Sequence, residues 1–198
     1  KNYIIKADGT EYEQLSTLKK FNPTLLVPVN FPAAFDVDDP FLAQKISLNK
    51  MRYWNQAPAN PKAIADAGIK FAFTSSDLKS LKSFLPNIKK AVQHGLSPER
   101  ALAALTTIPA QLIKQKGNVG ELKKGAYANL LVTNGPLFEK ETKIHENWVQ
   151  GEQHIIQASA KTTIDGTYAL SINNDSYKLT LSKSAAKISA KTVQNSTT

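Results

Sequence analysis

Two neighbouring stretches decide how this chain is read: Gly95-Leu-Ser-Pro-Glu-Arg-Ala-Leu-Ala-Ala-Leu-Thr-Thr-Ile-Pro-Ala-Gln-Leu-Ile113 and Gly120-Glu-Leu-Lys-Lys-Gly-Ala-Tyr-Ala-Asn-Leu-Leu-Val132. In the first, Ser97-Pro98 sets a capping hydroxyl before a proline at the first helical position, and Leu102 and Leu105 follow at helical spacing as the expected inner face. In the second, glycines punctuate the approach to a short apolar strand, Leu130-Leu-Val132. The changeover predicts α/β structure up to about residue 115 and mainly β structure from about 118 onward.

Upstream, Ile69-Lys-Phe-Ala-Phe-Thr74 reads as a strand, and Asn60-Pro61 with Gly68 reads as the cap and stop of the short helix before it. Thr24 to Asn30 is an earlier strand, with Pro28 lacking a ladder donor, and Tyr3-Ile-Ile is a short buried strand. Between them, Tyr12, Leu15 and Leu18 recur at helical spacing, as do Ile46, Met51 and Trp54 in a helix from Leu42 to Trp54. Leu81, Phe84, Leu85, Ile88 and Val92 mark another helix that ends at Gly95. Strand and helix thus alternate three times, which argues for parallel strands at 3–6, 24–30 and 69–74 joined by crossover helices.

Downstream, Asn147-Trp-Val-Gln150 adds a second short strand, and the composition shifts near Ala158. Tyr168, Leu170 and Ile172 alternate with smaller or polar residues, as do Tyr177, Leu179 and Leu181, with Asn173-Asn-Asp-Ser176 between them. That pattern predicts a hairpin, and a lone hairpin is marginal in water, so further strands are expected at 159–164 and 186–193. The chain has 25 Lys and Arg against 16 Asp and Glu, a formal charge of +9, yet no basic run exceeds a Lys-Lys pair. Dispersed charge predicts a solvated basic surface and no nucleic-acid partner. Cysteine is absent, which excludes disulfides, thiolate metal sites and a cysteine nucleophile. No apolar run reaches ~20 residues, so no membrane partner is expected.

The two opening stretches resemble the C-terminal signature of the metal-dependent amidohydrolase superfamily, close to imidazolonepropionase-like members. Trp148-Val-Gln-Gly151 fits that family's closing sandwich strand, and Pro28-Val-Asn-Phe-Pro32 and Trp54-Asn-Gln-Ala-Pro-Ala-Asn-Pro61 are similar to a bacterial subgroup. The resemblance covers roughly residues 3–155. It implies a (β/α)8 barrel, but a whole barrel takes ~250 residues. The expectation is therefore the C-terminal sector of a TIM-like barrel at 1–115, a β-sandwich segment at 116–157, and a small antiparallel β tail at 158–198 that could begin a further domain. Such a chain is a piece of a longer protein.

In metal-containing relatives, the resemblance implies histidines after strands one, five and six and an aspartate after strand eight. They hold a divalent ion that brings the pKa of bound water toward ~7. With Ile69–Thr74 as strand eight, Thr24–Asn30 is seven and Tyr3–Ile5 is six. Lys6-Ala-Asp8 then stands where a histidine is expected, and Lys6 and Asn30, at the strand ends, are the substrate-binding candidates. Counting Gly68 to Asp77 without a gap puts Ser76 at the aspartate position; a one-residue insertion puts Asp77 there. Asp77 is the catalytic candidate, with helix capping as its competing role. Asn129, standing where an aspartate is usual, is expected to bond the backbone at a turn.

His94, His145 and His154 are the only histidines, and none ends one of the three strands. The acidic loop of Asp36, Asp38 and Asp39 lacks the spacing of a calcium loop. No metal ligand is assigned and no cofactor is expected in the chain alone, although zinc or another divalent metal remains open for the parent. The implied activity is hydrolysis of C–N bonds other than ordinary peptide bonds in a small-molecule substrate, with the chain inactive by itself. A non-catalytic binding module is the alternative. As partner, the sequence predicts a missing N-terminal half or a second copy, touching strands 3–6 and 24–30.

Overall fold

The computed structural model describes residues 3–157, 166–172, 175–184 and 187–194. The chain divides into two compact units, Lys1–Ile156 and Gln157–Thr198.

In the first unit, β1 (Ile4–Lys6), α1 (Leu15–Phe21) and β2 (Thr24–Pro28) are followed by helices α2 (Pro40–Ala43), α3 (Leu48–Gln56) and α4 (Asn60–Asp66). Next come β3 (Lys70–Thr74), α5 (Phe84–Gln93), α6 (Pro98–Leu105) and α7 (Thr107–Leu112). The three strands form a parallel sheet in the order β1-β2-β3, with Lys6 opposite Leu26 and Leu26 opposite Ala72. Parallel pairing puts all three carboxyl ends on one rim.

The core lies on the helix side of this sheet. Leu25 and Val27 of β2, with Val29 just beyond it, and Phe71 and Phe73 of β3 pack with Ile64 of α4, Ile88 and Ala91 of α5, and Ala101 and Ala104 of α6. Phe71 and Phe73 meet edge to face at 5.4 Å between ring centroids, a favoured aromatic geometry. Thr24 and Leu26, on the opposite face of β2, are only half-buried.

Several expectations are corrected here. Tyr3, Ile4 and Ile5 are exposed, not buried, because β1 is an edge strand with a partner on one side only. β2 is central and paired on both sides, so 24–30 offers no free edge; the edges are β1 and β3. The helix expected from Leu42 to Trp54 is two helices, since Ser47 caps α3 by accepting from Lys50 N; Met51 and Trp54 are exposed. Leu81 is also exposed, preceding α5. Ser97 does cap α6, accepting from Arg100 N, but Leu102 faces out. Small Ala101 and Ala104 take the inner positions and let the helix approach the sheet closely.

After α7 the chain turns into a three-stranded antiparallel sheet, β4 (Leu130–Thr133), β5 (Ile144–Val149) and β6 (Glu152–Ile155). Gly120 lies at φ 84°, and a Cβ there would sit 2.6 Å from the Thr106 carbonyl oxygen. Only glycine accepts both the left-handed backbone and that approach. Asn129 Oδ1 accepts from Gln150 N at 2.7 Å, the expected backbone-bonding role. Lys89 of α5 donates to the Glu139 and Thr142 carbonyls, tying the loop before β5 to the helices.

The second unit is described by itself. β7 (Gly166–Ile172), β8 (Asp175–Ser184) and β9 (Lys187–Gln194) pair antiparallel in that order. The register sets Tyr168 opposite Leu179 and Leu170 opposite Tyr177. The strand expected at 159–164 lies outside the described residues, and that expected at 186–193 falls on β9.

Candidate functional site

Carboxyl ends of parallel strands are where α/β folds gather their chemistry, because side chains from several strands converge there on loops held by the sheet. At this rim Lys6 ends β1, Asn30 lies two residues beyond β2, and Ser76 and Asp77 follow β3. The structure brings two of them together: Lys6 Nζ and Asp77 Oδ2 are 2.7 Å apart, across the end of the central strand. Their side chains are 52% and 47% exposed, so water screens the pair and its net contribution to stability is ~0–1 kcal/mol. Among the described residues, no hydrogen bond or ion pair joins the half-buried Asn30 to them.

Asp77 is not a helix cap. The next helical turn is capped by Ser80, which accepts from Lys82 N, and α5 begins beyond that turn at Phe84. Asp77 instead adopts φ 68°, a left-handed conformation that aspartate tolerates better than most residues and that recurs at functional sites. Beside it, Ser76 N donates to Thr74 Oγ1 at 3.2 Å, while the Ser76 hydroxyl is buried without a hydrogen-bond partner.

The loop after β1 is fixed by residues that the sequence reading did not single out. Glu11 is 8% exposed. Its Oε1 accepts from Asp8 N at 2.7 Å and Gly9 N at 3.3 Å, and its Oε2 accepts from Asn60 Nδ2 at 2.7 Å. Asn60 is itself 1% exposed, and its Oδ1 accepts from Tyr12 N at 2.9 Å. Asn60 was expected to cap α4; it is the first residue of that helix and makes no capping bond, because its amide is spent on this loop. The spacing Asp8-x-x-Glu11 is that of a capping box, and it was the available signal for Glu11.

Electrostatics follow from these contacts. The Thr10 hydroxyl and then the Thr10 backbone N–H, both donating to Asp8 Oδ1, hold the Asp8 carboxyl below its ordinary value. Burial, and then the charges of Asp8 and Glu11, raise the Tyr53 phenol. Tyr53 lines an open cleft of ≈ 630 Å³ with Thr10, Tyr12, Glu13, Asn49 and Arg52; Lys6 and Asp77 lie outside it.

A divalent metal does not fit the residues present. His94 is at the C-terminal cap of α5, His145 lies in β5 and His154 in β6, so none of them ends a strand of the parallel sheet. Among the described residues there is no group of three or more His, Cys, Asp or Glu able to hold an ion. In the acidic loop, Asp36 and Asp39 accept from the backbone N–H groups of Asp38 and Phe41, which are local turn contacts. No helix among the described residues is long and apolar enough to cross a membrane.

Comparison with known proteins defines the class. An amidohydrolase from Thermotoga maritima MSB8 superposes with a TM-score of 0.55 at 17% identity, over 76% of this chain and 36% of its own. A prolidase complexed with N-methylphosphonate-L-proline gives 0.56 at 16% identity, covering 78% and 40%. A Xaa-Pro dipeptidase with methionine bound in its active site gives 0.54 at 14% identity, covering 77% and 40%. These likenesses show a TIM-barrel-type fold, of which this chain spans about two fifths of the length. The family model for the amidohydrolase family matches residues 43–172. The chain belongs to the amidohydrolase family. A search of curated proteins finds no match.

Proposed function

We propose that this chain carries the C-terminal sector of an amidohydrolase barrel, with a sandwich segment from 116 and a β tail from 158, and contributes to a hydrolase of small C–N-linked substrates. The Gly95–Ile113 and Gly120–Val132 stretches, which resemble imidazolonepropionase-like members, support that reading. The observation that carries the hydrolytic reading is the 2.7 Å contact of Lys6 with Asp77 at the carboxyl rim of the parallel sheet. In hydrolysis, the water oxygen bonds to the carbonyl carbon, the C–N bond breaks, and the nitrogen leaves with a proton. Asp77 is the carboxylate placed to take a proton from water and return it to nitrogen. Lys6 directs N–H donors at a substrate oxygen, and Asn30 borders the same rim. Solved relatives that are a prolidase and a Xaa-Pro dipeptidase make a small peptide-like amide the favoured substrate class.

Exposed Tyr3, Ile4 and Ile5 along the free edge of β1 support a partner there, either an N-terminal half or a second copy. The chain alone is then inactive. Assays of the chain and of a longer protein containing it, against N-acyl amino acids and Xaa-Pro dipeptides, test this. The longer protein should hydrolyse one of these classes, and Asp77→Asn should reduce kcat by about 10²-fold or more. Full activity in Asp77→Asn would remove Asp77 from the chemistry. Binding of such amides by the longer protein without turnover would favour the non-catalytic module, a reading supported by the absence of any histidine at the end of β1, β2 or β3.

A further inference from the structure

Lys6 ends β1 and Asp77 follows β3, so the ammonium crosses the end of β2 to reach the carboxylate at 2.7 Å. A divalent ion at this rim would need several nitrogen or oxygen ligands converging on one point. The neighbouring carboxylates are engaged elsewhere: Asp8 accepts from Thr10, and both Glu11 oxygens accept from Asp8, Gly9 and Asn60. A lysine ammonium has three N–H donors and no lone pair. It therefore cannot coordinate a metal, and at contact distance from Asp77 it repels an arriving cation.

We propose that the Lys6 ammonium is the resident cation of this rim, taking the place beside Asp77 that a divalent metal would occupy and keeping metal off that carboxylate. Lys6 is then a positioning residue: from the end of β1 it holds the Asp77 carboxylate across β2 at 2.7 Å, with its side chain half exposed to solvent. The proposal rests on the site assigned above but not on its hydrolytic chemistry. Metal exclusion can fail while hydrolysis stands, and hydrolysis can fail while metal exclusion stands.

Paramagnetic Mn²⁺ added to the 13C-labelled full chain reads this directly, through line broadening at the Asp77 side-chain carboxyl carbon. Asp66, paired with Lys62 on the surface of α4, serves as the exposed reference. In the unaltered protein, Asp77 should broaden no more than Asp66. Lys6→Ala, or the length-preserving Lys6→Gln, should increase broadening at Asp77 several-fold and leave Asp66 unchanged, whereas Lys6→Arg should behave like the unaltered protein. Broadening at Asp77 clearly greater than at Asp66 in the unaltered protein would make Asp77 a metal ligand and overturn the proposal. Equal broadening at Asp77 with and without Lys6 would overturn it as well, since lysine would then not be what keeps the ion away.

Discussion

Asn60 Nδ2 donates to Glu11 Oε2 at 2.7 Å, joining the first residue of α4 to the turn after β1 across 49 positions of sequence. Both residues are buried, and Glu11 also satisfies the Asp8 and Gly9 backbone N–H groups. The loop that leaves the rim beside Lys6 is therefore held by polar contacts rather than by a cap of its own.

Glu11→Ala leaves the Asn60 amide and two backbone donors without their acceptor, and each buried donor so orphaned costs about 1–3 kcal/mol. Chemical denaturation should show a loss of at least that size. Glu11→Gln keeps an acceptor oxygen but faces the Asn60 amide or the backbone donors with its own N–H₂, so it should lose less than alanine and still be measurably weaker. A loss no greater than for an exposed carboxylate such as Glu139→Ala would mean that the clamp is absent in solution.

Gly120→Ala addresses the passage from α7 into the small sheet. The added methyl would meet the Thr106 carbonyl at 2.6 Å and Ala110 Cβ at 3.0 Å, on a backbone at φ 84°. The strain alone is worth about 1–3 kcal/mol, so the Tm should fall. Gly125→Ala is the control: its φ of 89° carries the same backbone strain, with nothing within 4 Å of the new methyl. Equal losses at the two sites would show that the close approach to Thr106 is not maintained.

What the sequence disclosed was local. Apolar runs at Thr24–Asn30 and, after Gly68, at Ile69–Thr74 marked β2 and β3, and Ser97-Pro98 marked the start of α6, because each signal is written within a few residues. Asn60 was misread for the converse reason: a residue before proline looks like a cap, and its partner Glu11 is remote in sequence. The apolar run at Tyr3-Ile-Ile announced a strand but could not say that only one neighbour would cover it. In α6 the inner face is shifted by one residue, from Leu102 to Ala101, because close packing on the sheet selected the small side chain. Lys6 and Asp77 were each visible as strand-end residues, yet their contact depends on the order β1-β2-β3 and on the backbone turn at Asp77.

Two groups near the rim give opposite pH signatures. The Asp8 carboxyl is depressed by the Thr10 hydroxyl and backbone, so the folded state is favoured while Asp8 is ionised. That contribution is present above the ordinary aspartate pKa of 3.8 and is lost as pH falls through the lower folded value. Tyr53 is raised by burial and by Asp8 and Glu11, so its contribution is complete below the ordinary value of 10.0 and is lost as pH rises through the higher folded value. NMR titration should find Asp8 below and Tyr53 above those values, and Thr10→Val should move Asp8 back upward. An unchanged Asp8 titration in Thr10→Val would remove the hydroxyl as its cause.

Asn87 of α5 donates through Nδ2 to the Val29 carbonyl at 2.6 Å. Val29 is fully buried just beyond β2, next to Asn30, so this one bond ties the helix after β3 to the strand end that borders the candidate site. Asn87→Ala leaves the Val29 carbonyl without this donor and should cost about 1–3 kcal/mol. Asn87→Asp is the sharper probe, because at neutral pH it faces the carbonyl oxygen with a second acceptor and no donor. It should be at least as destabilising as alanine at pH 7 and recover partly at acidic pH, where a protonated carboxyl can donate again. Amide exchange at Asn30 and Phe31 should quicken in both variants, while exchange in β3 changes less. If Asn87→Asp matches the unaltered protein in stability and in exchange at Asn30, the strand end is held by packing of Val29 alone.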